Sequence, residues 1–317
     1  MYAQVDYQTK ARYAKRALSV AQSRLPEEAL PLAGAYRQNG EVYAAFQQYD
    51  SSLYYCKKAL LIFELHQETE QIAWTRLIQA VNYYYLGENE TGQQLLEEPF
   101  WDAETLNSDI YGFLFNLRGV FYNEAGDLPQ VIETTQKALS LELSKEAAIF
   151  DSSFVATLYN NLGVAYDAKG DIRRSIDYYQ KALDWFRQLP ATTSDQVSTG
   201  VNIGQQFLRQ QQPEAMIPYL LHNLALLREH PQLPDHGELS ARNFTNLGDA
   251  YMATAQHDSA LYYLKKAIDT GQENYKASAY YGRGRYYLQI RQPAEALKNL
   301  KTALALLRGS NNNKNEY

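Results

Sequence analysis

YNNLGVAYDAKGDIRRSIDYYQKAL, running from Tyr159 to Leu183, is the stretch on which the fold turns. Tyr159, Leu162, Gly163 and Tyr166 are spaced by three and four, as one face of a helix requires. Lys169-Gly170-Asp171 then interrupts that helix. Glycine accepts the left-handed conformation at a helix end, and aspartate caps the helix that follows. Beyond it, Ile176, Tyr179, Ala182 and Leu183 share one side of a second helix. The unit is a pair of amphipathic helices joined by a tight turn.

Gly163 stands three positions before an aromatic, and the chain repeats that arrangement six more times. Gly40 precedes Tyr43, Ala80 precedes Tyr83, and Gly119 precedes Tyr122. Gly204 with Phe207, Gly248 with Tyr251 and Gly284 with Tyr287 complete the series, at intervals of about forty residues. Nineteen residues past most anchors comes an alanine (Ala59, Ala138, Ala182, Ala267, Ala303) followed by leucine or isoleucine. A fixed period of this kind marks a stacked repeat architecture, which presents a long concave surface suited to other chains. The small anchor lets paired helices approach closely, the ring one turn later fills the space beside it, and the late alanine admits the next repeat.

The expected fold is all-α, a right-handed α-solenoid of antiparallel helix pairs. Fourteen helices pair around the seven anchors, with one more at the amino end and no strand. Residues 1–31 hold an orphan helix: Thr9 to Gln22 reads as a second helix without its first, with Ala17-Leu18 matching the late alanine pair. On that reading the chain is a fragment of something longer. Residues 32–308 form one continuous solenoid, and the asparagine-rich residues 309–317 are a disordered tail or a linker.

Tyr159–Leu183 and FTNLGDAYMATAQHDSALYYLKKAI, Phe244 to Ile268, resemble the tetratricopeptide repeat. The resemblance covers about Arg37 to Arg308 and the helix before it. The period exceeds the family's usual length of roughly 34 residues and is similar to the extended variety of kinesin light chains and bacterial regulators. It implies a superhelix in which the first helix of each repeat lines a groove. Pro99 and Asn223 replace the late alanine in the second and fifth repeats, so looser stacking is expected after both.

Composition narrows the function. A net charge of −6 argues against direct nucleic-acid binding, which depends on a basic surface. No apolar run approaches the roughly 18 residues that span a membrane. Twenty-seven tyrosines suit half-buried helix surfaces and binding grooves. Cys56, the single cysteine, falls on a core-facing position and reads as a small buried hydrophobe. His230, Asp235, His236 and Glu238 cluster in sequence but match no metal-ligand spacing. Tyr281-Gly-Arg-Gly-Arg-Tyr286 falls in register as the first helix of the seventh repeat, not as an RNA-binding segment. There is no phosphate-binding glycine loop, zinc-protease motif or nucleophile elbow. A non-catalytic binding module without cofactor or metal is the reading, with a sensory or regulatory input segment of a larger signalling protein as the alternative.

Positions six before, two before, one after and five after each anchor form one stripe along the first helix. The stripe is apolar in the second and third repeats: Trp74, Ile78 and Tyr85, then Phe113 and Leu117. It turns polar afterwards. Asn161, Asn202 and Asn246 occupy the same register in three consecutive repeats, and Arg209, Arg242 and Arg285 lie nearby. The asparagines resemble those with which extended tetratricopeptide proteins hold a peptide backbone. The partner so implied is a protein or peptide with apolar side chains for the first half and an acidic group or carboxyl terminus for the arginines. Other readings stand beside this one. Asparagine here also suits a bond to the neighbouring helix. The Trp74–Phe113 patch also suits cover by Pro99-Phe100-Trp101 or by a second copy of the chain, as in a homodimer.

Overall fold

The computed structural model describes residues 7–97, 99–102, 106–145 and 151–313. Among them are fifteen α helices and no strand. The chain divides into two compact units, Met1–Phe150 and Asp151–Tyr317. In the amino-terminal unit α1 (Tyr7–Arg24) precedes three pairs. They are α2 (Leu30–Ala45) with α3 (Tyr49–Leu65), α4 (Thr69–Leu86) with α5 (Asn89–Glu97), and α6 (Ser108–Glu124) with α7 (Leu128–Leu143). A 3-10 turn, Pro99–Asp102, follows the short α5.

The carboxy-terminal unit holds four pairs. These are α8 (Ser152–Ala168) with α9 (Ile172–Phe186), α10 (Thr193–Arg209) with α11 (Pro213–Glu229), α12 (His236–Ala253) with α13 (His257–Asp269), and α14 (Glu273–Gln289) with α15 (Pro293–Asn313). α15 runs past Arg308, so the start of the expected tail is helical; residues 314–317 lie outside the described residues.

Every pair closes through the same turn. The residue seven past each anchor is left-handed: Gly87, Gly126 and Gly170, but also Gln47, Gln211, Ala255 and Arg291. The next amide reaches back to the carbonyl of the anchor's aromatic, as in Asp171 N to Tyr166 O at 2.9 Å and Gln256 N to Tyr251 O at 2.8 Å. This bond satisfies a carbonyl that the helix end would leave open. A side chain in that conformation is strained, so Ala255→Gly (φ +57° at Ala255) is expected to raise stability by about 0.5–1 kcal/mol. Urea denaturation of the two chains measures it, and an unchanged or lower midpoint counts against it.

The anchors are close contacts, though not filled as expected. A Cβ on Gly163 would lie 2.5 Å from the Tyr179 ring, one on Gly248 2.6 Å from Leu264, and one on Gly284 2.6 Å from Leu300. On Gly40 it would lie 2.8 Å from Cys56 Sγ. The side chain sixteen residues on, from the second helix, occupies the space beside these anchors. In four repeats the ring three residues on turns elsewhere and lies against a ring of the second helix. Tyr43 lies on Tyr55, Tyr166 on Tyr178, Phe207 on Tyr219 and Tyr251 on Tyr263, with centroids 5.3, 5.3, 5.8 and 5.5 Å apart. Tyr36, Tyr159 and Phe244 flank three of those second-helix rings from the other side. Much of the tyrosine content is therefore spent on clasps within repeats. Cys56 is fully buried, and burial pushes its thiol up to about 12.

Between repeats, side-chain sizes are matched. Asn82 Nδ2 donates to Ser52 Oγ at 2.7 Å across the first junction, both groups buried. At the next, the Phe121 ring lies where any Cβ on Gly92 would be, 2.5 Å from it. In the carboxy-terminal unit the looser junction expected from Asn223 gives way to a bonded one. Asn223 is buried, and its Nδ2 donates to Val197 O at 2.9 Å and to Asn243 Oδ1 at 3.2 Å. Gly200 makes the room, since a Cβ there would lie 2.7 Å from Asn223 Oδ1.

Candidate functional site

In the amino-terminal unit, α4 and α6 bring Trp74, Ile78, Phe113 and Leu117 around one cavity of about 320 Å³. Trp74 and Phe113 meet edge to face, with centroids 5.2 Å apart. The buried Leu77 and the half-buried Val81 complete its apolar wall, and Ala44 and Glu41 from α2 border it, Glu41 being held by Arg37 at 2.6 Å. Nearby in the same unit, Trp101 is 2% exposed and donates its indole N–H to Leu95 O at 2.8 Å. Trp74 and Phe100 both pack on the apolar cluster that includes Trp101, while Phe113 stays 41% exposed. Tyr85 is not in the cavity. It stacks on Tyr49 at the start of α3, with centroids 5.2 Å apart.

In the carboxy-terminal unit the polar stripe lies on the first helices, α8, α10, α12 and α14. Asn161, Asn202 and Asn246 are half-buried. Arg242 donates to Asn202 Oδ1 at 2.7 Å, which joins two of the residues singled out from sequence. Arg209 pairs with Asp167, and Arg285 lies 3.6 Å from Asp249. Each arginine therefore already has an acceptor on the preceding first helix. Burial pushes the Asp249 carboxyl above the usual range, and Arg285 draws it part of the way back.

The histidine-rich connection is used structurally. Asp235 accepts from Ser194 Oγ at 2.9 Å, and a His236 ring nitrogen lies 3.1 Å from Leu227 O. Among the described residues no cluster of three or more histidines, cysteines or acids is placed to hold a metal, and no helix is long and apolar enough to cross a membrane.

The tetratricopeptide repeat model matches residues 156–188 and 241–270, the fourth and sixth helix pairs. The chain carries tetratricopeptide repeats. No curated protein matches it in sequence. Among solved structures, the apo form of RapI is similar over 87% of this chain and 76% of its own, with a TM-score of 0.72 at 14% identity. The apo form of the quorum sensor NprR from B. thuringiensis is similar over 95% of this chain and 76% of its own, with a TM-score of 0.63 at 15% identity. A signal transduction ATPase with numerous domains from Pyrococcus horikoshii, which has a tetratricopeptide repeat sensor, aligns over 96% of this chain and 45% of its own, with a TM-score of 0.73 at 13% identity. At these identities the likeness is one of fold: an all-α solenoid of tetratricopeptide helix pairs.

Stripe positions in these tetratricopeptide repeats hold Trp74, Ile78, Phe113 and Leu117, and also Glu41 and Val81, but not Ala44, Leu77 or Asn116, which line the cavity too. Those three sit one position off the stripe or nearer its edge, and a helix face is wider than a single row. Asp167, the partner of Arg209, was missed for the same reason.

Proposed function

We propose that this chain is a non-catalytic module that binds a peptide or protein through the faces of its first helices. The observation that carries the reading is the Trp74–Phe113 cavity, apolar, open and sized for one or two side chains. Aromatic anchors of this kind supply most of the energy in such interfaces. In support, NprR, one of the proteins similar in fold, has been solved in complex with its cognate peptide NprX. Peptides selected from a random library on the full chain are expected to share an aromatic or branched aliphatic residue. Trp74→Ala is expected to weaken them by about 2 kcal/mol or more, whereas Tyr85→Ala, outside the cavity, leaves affinity unchanged. Equal binding by Trp74→Ala, measured calorimetrically, removes the reading.

The polar face is proposed to hold backbone amides on Asn161, Asn202 and Asn246 and an acidic group on the arginines. Because Asp249 already occupies Arg285, Asp249→Asn is expected to raise affinity for acidic peptides. The same change is expected to leave stability unchanged or higher at neutral pH. A carboxyl whose folded pKa is raised favours folding in acid, and that contribution is lost as pH rises through the raised value. A lower melting temperature for Asp249→Asn at neutral pH would contradict this.

A second reading is that the chain is the input segment of a larger signalling protein. The match to less than half of the Pyrococcus horikoshii ATPase motivates it. The coding sequence on either side decides it, since an output domain is required.

A further inference from the structure

The open face between α1 and α2 has the register of an interrupted clasp. Tyr13 stands four residues before Ala17, as Tyr55 stands before Ala59 and Tyr178 before Ala182. Tyr55, Tyr178, Tyr219 and Tyr263 each lie against a ring of their own first helix. Tyr13 is 60% exposed, and among the described residues only the Arg12 guanidinium is recorded over its ring, 5.6 Å from the centroid. The position just before the alanine repeats the pattern. Lys58, Lys137 and Lys181 sit over Tyr36, Phe115 and Tyr159 at 5.3, 5.6 and 6.0 Å. Arg16 holds that place on α1 with no ring over it among the described residues.

The groove beside these residues has a volume of about 810 Å³. Val20 on its α1 side is 45% exposed, where the matching Ile62 of α3 is buried. Across from it, a Cβ on Gly34 of α2 would meet nothing within 4 Å. Charge identifies the occupant further. α1 carries Lys10, Arg12, Lys15, Arg16 and Arg24 and no acid, in a chain of net charge −6. Arg16 and Arg24 both line the groove.

We propose that the α1–α2 face docks an acidic amphipathic helix of a partner polypeptide, which lies as a first helix would and closes the clasp around Tyr13. Its apolar face carries a ring, a glycine or alanine four residues on and a second ring three beyond that, as in Tyr159, Gly163 and Tyr166. The two rings grip Tyr13, the small residue admits α1, and acids in its first half meet Arg16 and Arg24, because paired helices run antiparallel. This surface is separate from the cavity at Trp74 and does not depend on it.

The probe is a synthetic peptide with the sequence of α8, Ser152–Ala168, with Ser153 and Thr157 replaced by glutamate. Its binding to the full chain is read by fluorescence anisotropy. It is expected to bind, and to bind at least about ten-fold more weakly, the loss of one anchor contact, when its Gly163 is replaced by leucine or when the chain carries Val20→Asp. Because Val20 is exposed, Val20→Asp should keep the wild-type circular dichroism melt. Charge reversal is the second arm: Arg16→Glu with Arg24→Glu should lose the glutamate peptide and gain its lysine counterpart. Binding indifferent to all of these changes overturns the proposal. So does a chain that sediments as a dimer dissolved by Val20→Asp, which would make a second copy the occupant.

Discussion

Replacing Gly163 with leucine is expected to lower the stability of the carboxy-terminal unit by at least about 3 kcal/mol, the upper end of what overpacking costs. The reason is local. A single Cβ at this position would already lie 2.5 Å from the Tyr179 ring, which is 2% exposed. The ring has little freedom to retreat, because Tyr178 beside it is stacked on Tyr166 and Ser175 Oγ is bonded to Gly163 O at 2.9 Å. Gly34→Leu is the control. With open space around it, that substitution should be neutral or stabilise by up to about 1 kcal/mol through helix propensity. Chemical denaturation followed by circular dichroism compares the two. Equal midpoints would mean that the anchors are not close contacts.

Trp101→Ala is expected to cost about 3–5 kcal/mol in the amino-terminal unit. The indole is enclosed with Leu77, Leu96, Leu106, Ile110 and Leu114. Its removal leaves a void in that cluster and strips Leu95 O of its donor. Arg118 holds the neighbouring Leu96 O at 3.1 and 2.5 Å, so the end of α5 would keep one tie and lose the other. Because α5 has only nine residues, the turn after it does the packing that a full second helix does elsewhere. A loss below about 1 kcal/mol, measured by the same denaturation, would show the turn to be dispensable.

The helix pairs were legible because the anchors are chemically uniform, six glycines and one alanine at intervals of about forty residues. What meets the anchors was not legible. Cys56, Tyr179, Leu264 and Leu300 fill one structural role with unlike chemistries, and only their position relative to the anchor unites them. The turns at Gln47, Gln211, Ala255 and Arg291 were hidden for a similar reason. Their left-handed backbone is imposed by the helices on either side rather than by the residue.

At the candidate site, Trp74, Ile78, Phe113 and Leu117 followed from helical spacing alone. Tyr85 did not, because Tyr49 lies on another helix and stacks with it. The arginines could be placed on the polar face, but their acceptors belong to neighbouring helices and became visible only in three dimensions.

The matched sizes at the junctions bear on how such an array can change its length. Phe121 fits because the helix it meets offers Gly92, whereas the equivalent places in other repeats hold Ser52, Met216 and Ala260. Asn82 needs a hydroxyl across from it, and finds Ser52. A repeat duplicated in the gene and read in tandem would present its leading face to a trailing face shaped for something else. Growth by copying would therefore fail until both new seams were refitted by further substitutions. The order of the repeats is written into their edges, and the number of them is in effect frozen.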